Sequence, residues 1–354
     1  MAGERNIKIY DTASGTYKGL SWVGSQPRVC NQTYLQAIAE SEISGHTAWS
    51  KIGFSPSVTT TDSDIWSYAG TQAQIAFPAA AMQMEVVSSD ADDDSVALVT
   101  ATSDSGTSTT LVDADGNFVV AGIVAGDVVI LDDASGNYGF VTGVAATTLT
   151  LAGGWSSGYT SGAVAYRVID NSADTGAQVV KIEYLDSNYA TRYQFVALDG
   201  ATPVATSATV ADYILRVNSF RVIAAGTSLK AEGNIQLRHI DNTPVYSYIT
   251  AGFTRARNIA YTVPAGKTLF VTTFSGGVGN IGDYSRLYTR ATQWNGFKTD
   301  GIWYPYTEMD MTNNTVFSPL ECPTKIVQKV DIKISGITST GTGAACVSLR
   351  GWLE

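Results

Sequence analysis

Gly277-Val278-Gly279-Asn280-Ile281-Gly282 has the glycine spacing with which a strand-to-helix turn receives a pyrophosphate. That chemistry needs a helix N-terminus directly behind the last glycine. Asp283-Tyr284-Ser285-Arg286-Leu287-Tyr288 continues toward a strand instead, so the stretch reads as a glycine-rich loop. Asp113-Ala114-Asp115-Gly116-Asn117 opens like a calcium loop, but its glycine comes two positions early and its twelfth position is Val124 where a bidentate Glu is required. Asp90, Asp92, Asp93 and Asp94 offer oxygen ligands to a hard cation, although a run of like charge is ordinarily a solvated loop. His46 and His239 are the only histidines, and no GxSxG elbow is present. Cys30, Cys322 and Cys346 show no signature of a nucleophile, a CxxC zinc site or a disulfide framework, which leaves them as buried or idle thiols. A glycosidase needs only two carboxylates on a rigid scaffold, a pair that sequence spacing does not reveal. The chain is therefore read as a non-enzyme, with no cofactor and no metal.

The aromatic density between Tyr284 and Tyr306 is the candidate binding surface. Tyr284, Tyr288, Trp294, Phe297, Trp303, Tyr304 and Tyr306 are interleaved with Arg290, Asn295 and Asp300, and flat rings beside polar side chains stack on sugars or anchor a protein partner. Strand alternation sends part of these rings into a core and leaves the others for a subunit interface or a host glycan. Near the N-terminus, Tyr10, Tyr17 and Trp22 are candidate anchors of an arm that packs on its own body or on a neighbouring subunit.

The elements that must position these residues are strands. Charged residues are only 15% of the 354, while Gly reaches 34 and Tyr 18, which is the vocabulary of strands joined by tight turns. In Gln178-Val179-Val180-Lys181-Ile182-Glu183-Tyr184, Val180, Ile182 and Tyr184 fall on one face and Lys181 and Glu183 on the other, as in a half-buried antiparallel strand. Arg192 to Leu198 alternates likewise and ends at Asp199-Gly200, a tight-turn dipeptide. Further strands are expected at 217–223, 233–240, 245–249, 268–274, 286–292, 301–306, 329–335 and 346–353. A single helix is expected early in the chain, with Thr33 and Gln36 as a capping box and Leu35, Ile38, Ala39 and Ile43 on one face.

Strands also flank two loops that read as halves of one connection, Ser88-Ser89-Asp90-Ala91-Asp92-Asp93-Asp94-Ser95 and Asn171-Ser172-Ala173-Asp174-Thr175-Gly176-Ala177. Between them, turn signals at Asp115-Gly116, Gly126-Asp127, Ser135-Gly136-Asn137 and Gly153-Gly154 separate short strands at 108–112, 118–120, 127–131, 139–144, 147–151 and 163–168. This is a module inserted at a loop tip, where folded chains tolerate insertion best. The fold class is all-β, with jelly-roll-like β-sandwich domains, an inserted small β-barrel and an extended N-terminal arm carrying one short helix. The arm spans 1–60, a discontinuous sandwich 61–95 and 171–245, the insert 96–170 and a C-terminal jelly-roll domain 246–354.

The formal charge is −10, and no Lys or Arg occurs from Ile52 to Tyr166, which argues against nucleic acid because counterion release requires several cations. No apolar run approaches the roughly 20 residues that span a bilayer, and Met1-Ala2-Gly3-Glu4-Arg5 has no apolar segment of a signal peptide behind it. A soluble protein made in a cytoplasm is expected.

Asp64-Ile65-Trp66-Ser67, the split acidic loop with Asp174-Thr175-Gly176-Ala177-Gln178, Tyr184-Leu185-Asp186 and Val196-Ala197-Leu198-Asp199-Gly200 together resemble a group of tailed-bacteriophage virion structural proteins. The resemblance continues through Arg216-Val217-Asn218, Gly226-Thr227, Glu232-Gly233-Asn234-Ile235 and Tyr261-Thr262-Val263-Pro264-Ala265-Gly266-Lys267, and covers 60–275 apart from the insert. In that group the acidic loop is continuous, so 96–170 is this chain's departure from the pattern. Val330-Asp331-Ile332-Lys333-Ile334 and the final Gly351-Trp352-Leu353-Glu354 resemble a phage jelly-roll ending. The resemblance implies a capsid decoration or cement protein on the outer surface of the virion, or a head or tail fibre that binds host surface glycans. It implies the major capsid protein or other virion proteins as partners and a homo-oligomer, a trimer in preference.

Overall fold

Two-residue alternation punctuated by glycine turns produces an all-β chain. The computed structural model describes residues 8–11, 16–19, 22–23, 26–27, 38–39, 44–68, 70–133, 135–156, 159, 162–278, 285–292, 303–311 and 315–354. In the arm, β1 (Lys8–Asp11) pairs with β2 (Thr16–Gly19), and β3 (Trp22–Val23) with β4 (Gln26–Pro27). Of the expected helix, Ile38 and Ala39 are helical and the remainder lies outside the described residues.

The body opens with β5 (Thr47–Val58), β6 (Ser63–Asp64) and β7 (Met84–Ser88). The inserted segment then contributes β8 (Ala97–Thr102), β9 (Ser105–Thr107), β10 (Thr110–Val112), β11 (Val128–Leu131), β12 (Tyr138–Val144), β13 (Thr148–Leu151) and β14 (Ala165–Ile169). A middle group follows: β15 (Ala177–Leu185), β16 (Thr191–Ala197), β17 (Val204–Ala205), β18 (Arg216–Ala225), β19 (Ile235–His239) and β20 (Val245–Ile249). The chain closes with β21 (Ala260–Thr262), β22 (Leu269–Val278), β23 (Ser285–Thr292), β24 (Trp303–Met311), β25 (Thr315–Ile326), β26 (Asp331–Thr338) and β27 (Gly343–Leu353).

In the last group, the sheet β25-β22-β27-β5 and the sheet β21-β26-β23-β24 share one core, to which Leu269, Phe274 and Val347 come from the first and Leu287, Ile332 and Ile334 from the second. β5 therefore leaves the N-terminal segment and completes the C-terminal sheet, pairing with β27 from Thr47↔Leu353 to Val58↔Gly343. Neither β5 nor β25 was expected from the alternation. Pro56 interrupts the first and Pro319 and Pro323 the second, and both strands lie at sheet edges, where a missing N–H removes no ladder bond.

The middle group has the sheets β16-β15-β18 and β17-β7-β19-β20 around a second core that includes Val86, Ile182, Tyr184, Phe220 and Tyr246. The boundary expected at 245/246 falls inside β20, whose Tyr246 and Ile249 belong to this core. The break lies after that strand.

The inserted strands form one sheet in the order β8-β14-β11-β12-β13-β10-β9 around their own core, with Leu111, Phe118, Val141 and Tyr166 at its centre. β8 and β9 stand at opposite ends of that order yet are joined by Ser103-Asp104, where Ser103 N donates to Val164 O (2.9 Å) and Asp104 N to Val112 O (2.9 Å). The expected strand 118–120 is a turn instead. Ala121 N donates to Asn117 O (2.9 Å), Gly122 has φ of 81°, and Phe118 is buried while Val119 and Val120 are exposed.

The two halves of the split loop meet. Gly176 N donates to Asp92 O (2.9 Å), and Asp170 N to Val96 O (2.9 Å), so the inserted segment leaves and returns at adjacent points. It folds back onto the middle group: Val128, Ile130 and Ile169 pack on Val179, Phe195 and Ala224. This corrects the half-buried reading of β15, since the face bearing Lys181 is covered by the insert and Lys181 is only 7% exposed.

Candidate functional site

The residues that bring polar chemistry together lie where the middle and C-terminal groups meet. A cleft of about 280 Å³ opens between β5 and the outer face of β15 and β18. β5 brings Trp49 and Lys51 to it by alternation, β15 brings Glu183, and β18 brings Asn218 and Arg221. The fourth side is the segment after β20, which runs along β18: Val222 N donates to Thr254 O (2.7 Å) and Ala256 N to Phe220 O (2.9 Å). That pairing sets Arg255 directly opposite Arg221 at the cleft.

The floor is tightly held. Asn218 and Thr262 exchange two hydrogen bonds, Nδ2 to Thr262 O and Thr262 N to Oδ1, both 2.9 Å. Trp49 meets Tyr261 edge-on at 5.1 Å between centroids. Lys51 donates from Nζ to Asn218 O and stands 5.8 Å from the Tyr261 ring. Burial lowers the Lys51 amine to about 8; Glu183 opposes the shift and Arg255 adds to it. Burial, with Glu183 and Tyr193 nearby, pushes the Tyr261 hydroxyl upward. Arg257 is held beside the cleft between Phe253 (3.6 Å) and Phe54 (4.4 Å).

Toward the insert, the same sheet face carries Lys181, whose Nζ donates to Gly136 O (2.6 Å) and lies 4.4 Å from Tyr193 and 5.5 Å from Tyr138 and Phe195. Burial and then Arg221 lower its amine to about 8, against Glu183. Another hollow, about 350 Å³, lies between the insert and β16. Its carboxylates are engaged locally: Arg167 clamps Asp132 through Nε (2.8 Å) and Nη2 (2.7 Å), Ser135 N donates to Asp133 (3.0 Å), and Ser207 Oγ to Asp212 (2.9 Å).

The acidic loop is not wholly solvated, as its run of charge suggested. Asp93 is fully buried; its Oδ1 accepts from Ala177 N (2.7 Å) and Glu232 N (2.9 Å), and its Oδ2 from Ser88 Oγ (2.5 Å) and Gly233 N (2.9 Å). One carboxylate thus ties together both halves of the split loop and the entry to β19. Among the described residues, no three His, Cys, Asp or Glu side chains are placed to hold a metal ion.

Of the aromatic surface, Tyr284, Trp294, Phe297, Asn295 and Asp300 lie outside the described residues. Tyr288 and Arg290 lie in β23 and Tyr304 and Tyr306 in β24, with their side chains outside the description. Trp303 is half-buried, packed 5.3 Å from Phe77 with Lys333 Nζ 4.6 Å above its ring, so it serves an internal contact. Tyr10 stands opposite Tyr17 in the β1–β2 pair and Trp22 lies in β3, again with side chains outside the description. Ile38 is buried, and Ala39 lines a hollow over β5, β22 and β27 with Ile52, Thr272 and Arg350. Cys346 is an exposed thiol.

The cleft residues were missed because Lys51, Glu183, Arg221 and Arg255 come from four separated segments. Comparison with protein-family models, with curated proteins and with solved structures finds no match to this chain.

Proposed function

We propose that this chain is a structural component of the outer surface of a tailed-phage particle, working as a decoration or cement protein through protein–protein contacts. The observation that carries the reading is where the fold places its buried charge. Arg216 grips Asp331 through Nε (2.8 Å) and Nη2 (3.0 Å) across the middle and C-terminal groups. Lys333 meets Asp64 (2.9 Å) across residues far apart in the chain, Lys181 bonds the insert, and Asp93 closes the split loop. Buried pairs of this kind add little net stability, but they fix which surfaces meet and in which register. A chain so tied is suited to transmitting load between neighbours.

On this reading the paired sheets of the middle and C-terminal groups are sandwiches of jelly-roll type, and the insert, whose sheet order starts and ends in the contiguous 97–107 segment, is a small barrel without open edges. The partners are the major capsid protein and further copies of this chain, a trimer in preference. Particles depleted of the protein are expected to survive osmotic and thermal stress less well than intact ones, and equal survival rejects the cement role. A second reading, recognition of host glycans, is favoured by the cleft beside Trp49 and Tyr261 and is tested by binding measurements on the purified protein.

A further inference from the structure

Arg221 in β18 and Arg255 in the segment after β20 face each other across a single bridge, and neither side chain has an ion-pair or hydrogen-bond partner among the described residues. Like charges directly opposite destabilise a sheet. The arrangement is more unexpected in a chain of formal charge −10 whose 22 Lys and Arg are outnumbered by 32 Asp and Glu. Lys51 lines the same cleft and Lys181 lies next along the sheet, so four cations gather where Glu183 is the one carboxylate at the cleft wall among the described residues. Both arginines are exposed, so this pair is open to solvent and to a ligand, while Lys51 and Lys181 are bonded to Asn218 O and Gly136 O.

We propose that this cleft binds a carboxylate-bearing sugar unit, with Arg221 and Arg255 holding the carboxylate at the mouth. Arginine forks suit a planar carboxylate, and two of them at one mouth supply donors for both oxygens. Beside them the hydroxyls of Ser50 and Ser219 line the cleft and offer bonds to sugar hydroxyls, while the buried Trp49 and Tyr261 form its floor. A cleft of about 280 Å³ accommodates a single ring. An inorganic anion would leave the Ser50 and Ser219 hydroxyls unused. A nucleic acid would meet two exposed arginines on a chain of formal charge −10, too few for tight phosphate neutralisation. The inference rests on the glycan reading only for the biological source of the sugar; the chemistry of the cleft stands by itself.

The test is saturation-transfer NMR and calorimetry on the full chain. The probes are N-acetylneuraminate and short glucuronate and galacturonate oligomers, set against glucose, N-acetylglucosamine, acetate and inorganic phosphate. Binding of at least one acidic sugar, with neutral sugars and simple anions weaker by tenfold or more, is the expected result. Arg221→Ala or Arg255→Ala weakens that binding by roughly tenfold or more, the factor for one lost charge-assisted hydrogen bond. Glu183→Gln removes the opposing carboxylate and tightens binding by roughly threefold or more, a gain that a misfolded variant would not show. The proposal is overturned if no acidic sugar binds, if neutral sugars bind as well, if acetate or phosphate binds as tightly, or if the arginine variants bind unchanged. Those failures leave the survival of depleted particles, and so the cement reading, untouched.

Discussion

Asp93→Ala is the sharpest perturbation of the fold. The side chain is fully buried and accepts from three backbone N–H groups and one hydroxyl, at 2.5 to 2.9 Å. Its removal leaves Ala177 N, Glu232 N and Gly233 N facing a hole too enclosed for each to regain a partner. An unsatisfied buried donor costs about 1–3 kcal/mol, and bonds to a charged acceptor lie at the upper end, so three donors, sharing what relaxation is available, lose on the order of 4–6 kcal/mol. That is a large part of the roughly 5–15 kcal/mol by which a domain is ordinarily stable. Asp93→Asn keeps the shape but turns an amide NH2 toward N–H donors, and about half of that loss is expected. Urea denaturation followed by circular dichroism measures the loss, and hydrogen exchange at the amides of 177, 232 and 233 locates it. Asp92→Ala is the control, because that exposed side chain contributes no hydrogen bond and its replacement is expected to cost under about 0.5 kcal/mol. Equal stability of the Asp93 and Asp92 variants would refute the role assigned to the buried carboxylate.

Deleting 96–170 and joining Ser95 to Asn171 through one glycine should leave a cooperatively folding remainder, because the two ends are hydrogen-bonded neighbours. The remainder should lose on the order of 3 kcal/mol from uncovering Val179, Phe195 and Ala224, and loss of all folded protein contradicts the insertion. Arg216→Ala removes the charged partner of the buried Asp331 carboxylate, which keeps the Thr262 hydroxyl, and is expected to cost about 3–5 kcal/mol, whereas Arg216→Met with Asp331→Leu recovers part of that loss; a double variant worse than the single one would be evidence against the pair as assigned. Lys51 and Lys181 release their protons near pH 8 when folded, against 10.5 for an ordinary lysine, so between those values the unfolded chain binds more protons and stability rises with pH. For Lys181 the gain is at most roughly 3 kcal/mol. Above pH 10 the raised tyrosines Tyr193 and Tyr261 reverse the trend, since the unfolded chain then ionises first. Chemical denaturation at pH 7.5, 9 and 10 reads this, and a flat or falling profile below pH 10 is incompatible with the buried amines.

Local pattern made the strands of the middle group legible: the alternation in 178–184 and 192–198 is that of β15 and β16, which pair from Val179↔Ala197 to Leu185↔Thr191. The split loop was legible too, because turn residues on both sides of a strand-rich segment are a local signal. What stayed hidden was long-range. Nothing near Thr47–Val58 announces that it pairs with the last strand of the chain, and Pro56 breaks the period that would mark it as a strand at all. The same blindness applies to exposure. Lys181 and Glu183 alternate away from the core as solvated residues do, yet a separate segment returns to cover the first and a cleft encloses the second. The cleft combines four segments whose separation no periodicity records. The aromatic cluster near the C-terminus drew attention by density, whereas Trp303 is taken up by Phe77 and Lys333.

The most direct test of the proposed structural role is antibody labelling of this chain on intact, purified tailed-phage particles from a lysate in which the chain is detected, imaged by electron microscopy. Regularly spaced label on the outer surface is expected; particles that carry no label, with the chain left in the lysate, would rule the structural role out.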